Sequence, residues 1–415
     1  MRNERCGRWF ALFVGILGLT ASAQDVYVNI ENEAVRRYMS EVTYTSAADS
    51  SRVGQYNMDS PNRLDVPVAA LLTLPATDAD SVCVSYGLES DLSDGKTIVV
   101  RKGQSRVPVY NLIPKLNYCY KVVADGNTVS EGRIHPTGQV RMISVPSVYN
   151  VRDLGGWITA DNKRVKYGKL FRGSELNGGY IASTDDLQTL RELGIGAEID
   201  LRAYYNEEHG VSAFDFSSNA TPPTFLYTSN SGQLPEHLSN PAFQLRWRSA
   251  FLFIVNNLRA GRSVYIHCVY GADRTGYLSL LLEGLLGVTY DGLVKDYELT
   301  NFFTANHVKS RIEPVFEYMD ALVGATLRDK FNFYFTNMLM VSQADIDYFR
   351  SEMLVDEKGP STGIETLHPL AKETHRPHQY FDLTGRKVSP RQRGLLIEMG
   401  ADGVPRKMLR ATERR

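Results

Sequence analysis

The stretch Ser263-Val-Tyr-Ile-His-Cys268-Val-Tyr-Gly271-Ala-Asp273-Arg274-Thr275-Gly276, followed by the mostly apolar run Tyr277–Leu286, constrains this chain more than any other. Its β-branched start predicts a buried strand, its middle a tight loop opening on a cysteine, and its end a helix with an arginine in the first turn. Such a loop gathers backbone N–H groups at a helix N-terminus, where unpaired donors and the positive dipole end favour an anion. The same field stabilises a thiolate. Arg274 offers a planar fork that grips two oxygens of one phosphate. Gly271 permits a backbone conformation and a close ligand approach that a side chain obstructs. These residues therefore predict a phosphate dianion held in front of Cys268, with Val269, Tyr270, Gly271, Ala272, Arg274 and Gly276 around its oxygens. A buried structural cysteine is the alternative reading of the same stretch.

His267–Gly276 resembles the HCxxGxxR(S/T)G signature of cysteine-dependent phosphatases. Tyr149-Asn-Val-Arg152-Asp153-Leu-Gly155-Gly156, Leu170-Phe-Arg172-Gly-Ser174-Glu-Leu176, Ile199-Asp200-Leu201-Arg202 and Asp296-Tyr-Glu-Leu-Thr300 narrow the resemblance. They are similar to segments of the secreted bacterial tyrosine-phosphatase-like family, which carries an NxRDLGG motif and an Asp-Arg pair inside the loop. The likeness runs from about Val145 to Leu354. It implies an α/β domain with a central, mostly parallel sheet flanked by helices. It also implies a phosphocysteine intermediate formed on Cys268, with no cofactor and no metal.

Further roles follow around that nucleophile. Thr275 is placed to donate to the departing sulfur. His267 either fixes the loop through a backbone bond or is a satisfied core histidine. No Trp-Pro-Asp tripeptide lies between Asp200 and Ala242, so the resemblance points to Asp273 as general acid. That role needs a raised pKa, which a nearby phosphate dianion supplies. Readings in which Asp273 orients Arg274, or in which Asp200 or Asp215 supplies the proton, stay open. Arg152 and Asp153 brace the loop, with Asp153 pairing a cation and Arg152 either bracing or reaching phosphate, or they belong to a purely structural turn made by Gly155-Gly156. Arg172 sits near the site, and Asp200 with Arg202 reads as scaffold.

The implied activity is that of an exported cysteine-dependent phosphomonoesterase of the protein tyrosine phosphatase type. Its partner would be a phosphorylated substrate, either a phosphotyrosine protein or peptide or an inositol phosphate. Two alternatives stand beside it: an inositol polyphosphate (phytase-like) or phosphoinositide phosphatase, and a catalytically weak phosphate-binding module. Relatives with phosphoinositide activity usually carry lysine where this chain has Ala272, which weighs against multiply phosphorylated lipids. A formal charge of −1 over 415 residues argues against nucleic acid as a partner.

At 43% hydrophobic content the chain has enough apolar side chains for more than one core, and its pattern changes along its length. Residues 1–23 have the form of a signal peptide: Arg2, Arg5 and Arg8, then apolar Trp9–Thr20, then small Ala21-Ser-Ala23. This predicts export to the periplasm, cell surface or medium. No later run is long enough to span a bilayer. An N-terminal segment, 24–61, includes a short helix at Ala34–Val42. Short strands with turn signals over 62–138 predict an all-β sandwich, and Leu112–Val122 resembles the tyrosine-corner strand of fibronectin-III-like modules. There Cys83 and Cys119 form either a disulfide or two free thiols. The α/β domain occupies 139–354, with helices at Ser183–Gly194, Phe243–Leu258, Tyr290–Asn301, His307–Leu322 and Gln343–Leu354. A polar linker, 355–379, leads to a β tail, 380–415, that resembles the ending of type IX secretion sorting domains.

Overall fold

The computed structural model describes residues 22–57, 63–203, 210–216, 220–229 and 235–357, together with four strands between 379 and 410. Most of the expected leader and most of the expected linker lie outside the described residues. The chain divides into two units, 1–365 and 366–415. The second is an antiparallel sheet with strand order Lys387–Val388, Gln379–Phe381, Gly394–Met399, Pro405–Arg410.

In the first unit, strict alternation builds the β layer. Along Tyr118–Ala124 every second residue is buried, so Tyr118, Tyr120 and Val122 face one core with Leu72, Val84, Val107, Val109 and Ile134. That core lies between a six-stranded sheet and the two-stranded pair Ala70–Thr73 and Arg106–Val109. The Ile113 amide donates to the Tyr118 hydroxyl at 3.0 Å, closing the corner that the sequence signals. Cys83 lies opposite Val123 and Cys119 opposite Gly87, so the two are offset by four residues along one ladder. At about 3.3 Å per residue that offset exceeds the roughly 7 Å limit between bridged Cα atoms. The two cysteines form no disulfide.

The α/β domain is organised on a five-stranded sheet. Its order is Phe225–Tyr227, Ile195–Asp200, Ser263–His267, Leu170–Gly173, Arg152–Asp153, and only the last strand runs antiparallel. Alternate side chains enter two different cores: Leu170, Val264 and Ile266 join the larger one, Phe171 and Tyr265 the smaller. Because apolar layers cover both faces, the central strand Ser263–His267 is buried at every position.

The segment set apart as 24–61 divides between these parts. Val26–Asn29 pairs in parallel with Asn127–Thr137 and extends the β layer. The helix Glu33–Glu41, capped by Asn32, places Val35 and Tyr38 in the larger α/β core. Tyr38 and Tyr44 both donate to Glu298 Oε2, at 2.8 and 2.6 Å. At the other end, Leu354–Asp356 pairs with Lys163–Val165, which carries the domain past 354. Among the described residues no helix is long and apolar enough to cross a membrane.

Candidate active site

Between the strand Ser263–His267 and the helix Asp273–Leu286, the chain turns through a loop in which five consecutive carbonyls are tied to the surrounding scaffold. The Cys268 carbonyl faces His267 Nδ1 at 3.4 Å, and the Val269 carbonyl accepts from the Glu175 amide at 3.0 Å. Asn150 Nδ2 donates to the carbonyls of Tyr270 and Gly271, at 3.1 and 3.2 Å. An Arg172 guanidinium nitrogen reaches Gly271 O at 2.8 Å and Ala272 O at 3.3 Å. In a planar trans peptide the N–H points opposite to the C=O. Tying the carbonyls outward therefore turns the following amides inward, toward the space over Cys268. Among the described residues the N–H groups of Val269, Tyr270, Gly271 and Ala272 donate to nothing. Such a ring of amides at a helix N-terminus is an oxyanion site. Gly271 makes the turn at φ +63°, where a Cβ would overlap the Gly173 carbonyl.

The ties rest on a buried ion network. Asp296 joins two arginines, taking Arg152 Nε at 3.0 Å and Arg172 Nη1 at 2.6 Å. Arg152 also holds Asn150 Oδ1 at 2.6 Å, which fixes the amide that serves the loop. Asn150 has φ +55°, a left-handed conformation that asparagine tolerates better than most residues. Its own N–H donates to Asp65 Oδ2 at 2.7 Å. Burial, then Arg152, brings Arg172 down to about 10. Burial pushes Asp296 up, but the two guanidiniums outweigh it and hold the carboxylate low. Glu283, on the helix behind the loop, has neither oxygen hydrogen-bonded, and burial drives its carboxyl far above the usual range.

The residues anticipated at the site divide into several groups. Cys268, 4% exposed, sits at the mouth of the loop, and half-buried Arg274 donates to Leu201 O at 3.3 Å with no carboxylate partner among the described residues. His267 is fully buried and bonded to Glu198 at 2.9 Å. Burial lowers its pKa, but Glu198 and Asp200 more than reverse that, so it is raised. The Thr275 hydroxyl is buried without a hydrogen-bond partner, so the anticipated bond to sulfur is not formed here. Asp153 pairs a cation, as anticipated, but that cation is Arg141 at 2.9 Å; its other bonds go to Gly155 and Gly168, not to the loop. Arg152 acts through Asn150 and Asp296. Asp200 is consumed by Arg202, whose Nε lies at 2.9 Å and Nη2 at 2.7 Å.

Asp273 does not hold Arg274. Its Oδ1 faces Arg311 at 3.1 Å and His307 Nε2 at 3.5 Å. Burial raises the Asp273 carboxyl, and the His307 and Arg311 contacts outweigh it, leaving the pKa lowered. The roles of Asn150, Glu175, Glu198, Asp296, His307 and Arg311 were missed by sequence reasoning. Asn150, Glu175 and Asp296 do lie inside the recognised segments, and an asparagine two residues before an arginine was the available signal. His307 and Arg311 carried none.

A half-exposed Tyr270 opens an aromatic rim. Tyr180 lies 6.0 Å from it, and Tyr149 and Phe303 lie 4.9 and 6.1 Å from Tyr180. Arg63 covers the Tyr149 ring at 4.2 Å. Among the described residues no group of three or more His, Cys, Asp or Glu is placed to hold a metal ion.

Comparison with known proteins agrees with this geometry. Residues 143–355 match the tyrosine phosphatase family. A Cupriavidus necator protein bearing the provisional name tyrosine-protein phosphatase is 30% identical over 174 residues, covering 38% of this chain and 63% of that relative. The triple specificity protein phosphatase PtpB of Mycobacterium tuberculosis is 27% identical over 197 residues, covering 38% of this chain and 68% of its own length. The chain thus spans somewhat under two thirds of the first relative.

Proposed function

We propose that this chain, which belongs to the tyrosine phosphatase family, is a phosphoric monoester hydrolase working through a phosphocysteine on Cys268. The observation that carries the reading is the set of scaffold ties on carbonyls 268–272, which leaves the loop amides free for phosphate oxygens. In the proposed reaction the Cys268 sulfur attacks phosphorus in line, while amides and Arg274 stabilise the equatorial charge. Asp273 protonates the leaving oxygen and later takes a proton from the water that hydrolyses the thiophosphate. Asp200 is poorly suited to that role because Arg202 occupies its oxygens.

The rim of Tyr149, Tyr180, Tyr270 and Phe303 favours an aryl monoester over an inositol polyphosphate. Ring faces stack on rings, whereas a multiply charged polyol needs cations there. Export follows from the leader, surface sorting from the tail, and a fibronectin-III-like character for the β layer from the Tyr118 corner.

A phosphate-release panel tests the reading, using phosphotyrosine peptides, phosphoserine peptides, phosphoinositides and phytate, with Cys268→Ser as control. Hydrolysis of the phosphotyrosine peptides, abolished in the control, is expected. Substantial turnover by Cys268→Ser would refute the phosphocysteine route, and a preference for phytate would refute the aryl assignment.

A further inference from the structure

Asp273 meets a second proton-carrying group whose geometry leaves it one open position. His307 is only 7% exposed. Its amide donates to Asn301 Oδ1 and its carbonyl accepts from Asn301 Nδ2, so its backbone is held on both sides. Nδ1 faces the Thr304 carbonyl at 3.1 Å. A carbonyl only accepts, so Nδ1 keeps its hydrogen and any exchangeable proton resides on Nε2. Nε2 is the atom that faces Asp273 Oδ1 at 3.5 Å.

The geometry points to His307 as a positioning residue that supplies Asp273 with the proton delivered to the leaving oxygen. This rests on the proposed role of Asp273 as general acid. With only Arg311 on its oxygen, an ionised Asp273 would have no proton to deliver. With His307 Nε2 beside it, the carboxylate has a neighbour from which a proton can be drawn. When a phosphate dianion arrives, its charge favours the neutral carboxyl. The Nε2–H bond breaks and the Oδ1–H bond forms. The carboxyl proton then passes to the leaving oxygen as the P–O bond breaks and the S–P bond forms. In the second half, water loses a proton to Asp273, the P–S bond breaks, and the proton returns to Nε2. The net change is ester plus water to phosphate plus alcohol.

Other groups face this pair. Arg311 lies on the same Asp273 oxygen at 3.1 Å and favours the ionised carboxylate. The phenols of Tyr277 and Tyr297 are raised by burial, Tyr277 to about 12, so they keep their protons across the working range.

The test uses the full chain and two substrates, phenyl phosphate with a poor leaving group and p-nitrophenyl phosphate with a good one. His307→Asn keeps an amide able to reach the Thr304 carbonyl and removes Nε2. As a class, imidazoles hold their protons about two to three pH units higher than carboxyls. The variant's alkaline limb for phenyl phosphate should therefore move to lower pH. A fall in kcat of roughly 10- to 100-fold is expected at pH 7, and about 3-fold or less at pH 5 or with p-nitrophenyl phosphate at either pH. In an Asp273→Asn background, His307→Asn should add nothing, because both act through one proton.

A loss that is equal at all pH values and for both leaving groups would overturn the inference. So would a full additional loss in the double variant, or a wild-type profile. Should His307→Asn not fold, His307→Gln replaces it: its amide donates toward Asp273 without a titrating proton, and the same profile is expected. Activity in Cys268→Ser would instead refute the parent reaction. An Asp273→Asn variant insensitive to leaving group would refute the general acid. The His307 inference fails separately when Asp273→Asn shows the leaving-group defect and His307→Asn does not.

Discussion

Replacing Asp296 by asparagine separates the ion network from the rest of the fold. Asp296 is the carboxylate bridging Arg152 and Arg172, and all three side chains are at most 2% exposed. Breaking a buried pair by removing one partner typically costs about 3–5 kcal/mol, because a charge is left uncompensated. Here two guanidiniums lose their carboxylate, although the asparagine amide keeps an oxygen for one of them. A second effect opposes the first. Burial and then Asp296 raise the Glu283 carboxyl, whereas Arg172 and Arg152 lower it. Without the Asp296 charge, Glu283 ionises more readily and takes up part of the compensation. We therefore expect a net loss near the lower end, about 3 kcal/mol. For an α/β domain of this size that is roughly a 6–12 °C fall in Tm. Arg172 would shift toward Glu283 and release the carbonyls of Gly271 and Ala272, and a misplacement of about 1 Å costs on the order of 100-fold in kcat. Urea melts and steady-state kinetics of Asp296→Asn, alone and combined with Glu283→Gln, measure both effects. The double variant should lose at least about 1 kcal/mol more than the single one. A single variant as stable as wild type, or one destabilised with unchanged kcat, would refute the coupling between network and loop.

Two further outcomes follow from the same region. Gly271→Ala forces a side chain into a left-handed conformation costing roughly 1–2 kcal/mol and against the Gly173 carbonyl; stopped assays should show kcat at least about 100-fold lower, and a wild-type rate would contradict the turn geometry. Glu283 has a folded pKa above its unfolded value, so its stabilising contribution is full below the unfolded value and is lost as pH rises through the folded one. Glu283→Gln removes that loss, so the decline in Tm from pH 5 to 9 should be shallower than in wild type, and parallel curves would refute a neutral buried carboxyl.

What could be read in advance was local. Ser183 and Asp186 form the capping box that starts the helix Thr184–Glu192, and both residues lie within four positions of each other. The loop from Cys268 to Gly276 was legible because strand, turn and helix signals adjoin in the chain. Partners brought in by topology were not. Asp296 meets Arg152 and Arg172 from 144 and 124 residues away, and Glu198 meets His267 from 69. Hydrophobic periodicity shows which face is buried, not which polar group will answer another. The expected helix His307–Leu322 starts later than its sequence pattern suggests, for a related reason. Residues Lys309–Arg311 form a 3-10 turn and the helix proper is Glu313–Asp320, with Pro314 in its first turn. Upstream, Asn301 and Glu298 side chains take the amides of His307 and Lys309, replacing a helical start by long-range capping. The expected helix at Ala34–Val42 forms as Glu33–Glu41, yet nothing local said that Tyr38 would end on Glu298.

The network under the loop is an expensive way to make a core. A buried ionic triad is often no more stabilising than apolar residues of the same volume, because desolvation offsets the Coulomb gain. Arg172 even leaves its Nε without a partner, and Glu283 leaves both oxygens without one. The expense makes sense only where the donors are needed elsewhere. An apolar side chain at 172 could fill the space but could not hold the carbonyls of Gly271 and Ala272, and one at 152 could not fix the Asn150 amide. If those carbonyls were released, they would turn toward whatever donor lay nearest, and the opposite N–H of each peptide would leave the ring with them. The charges beneath Cys268 are therefore best understood as setting the direction of backbone dipoles, with the phosphate oxygens as the eventual partner of amides that the fold keeps unpaired.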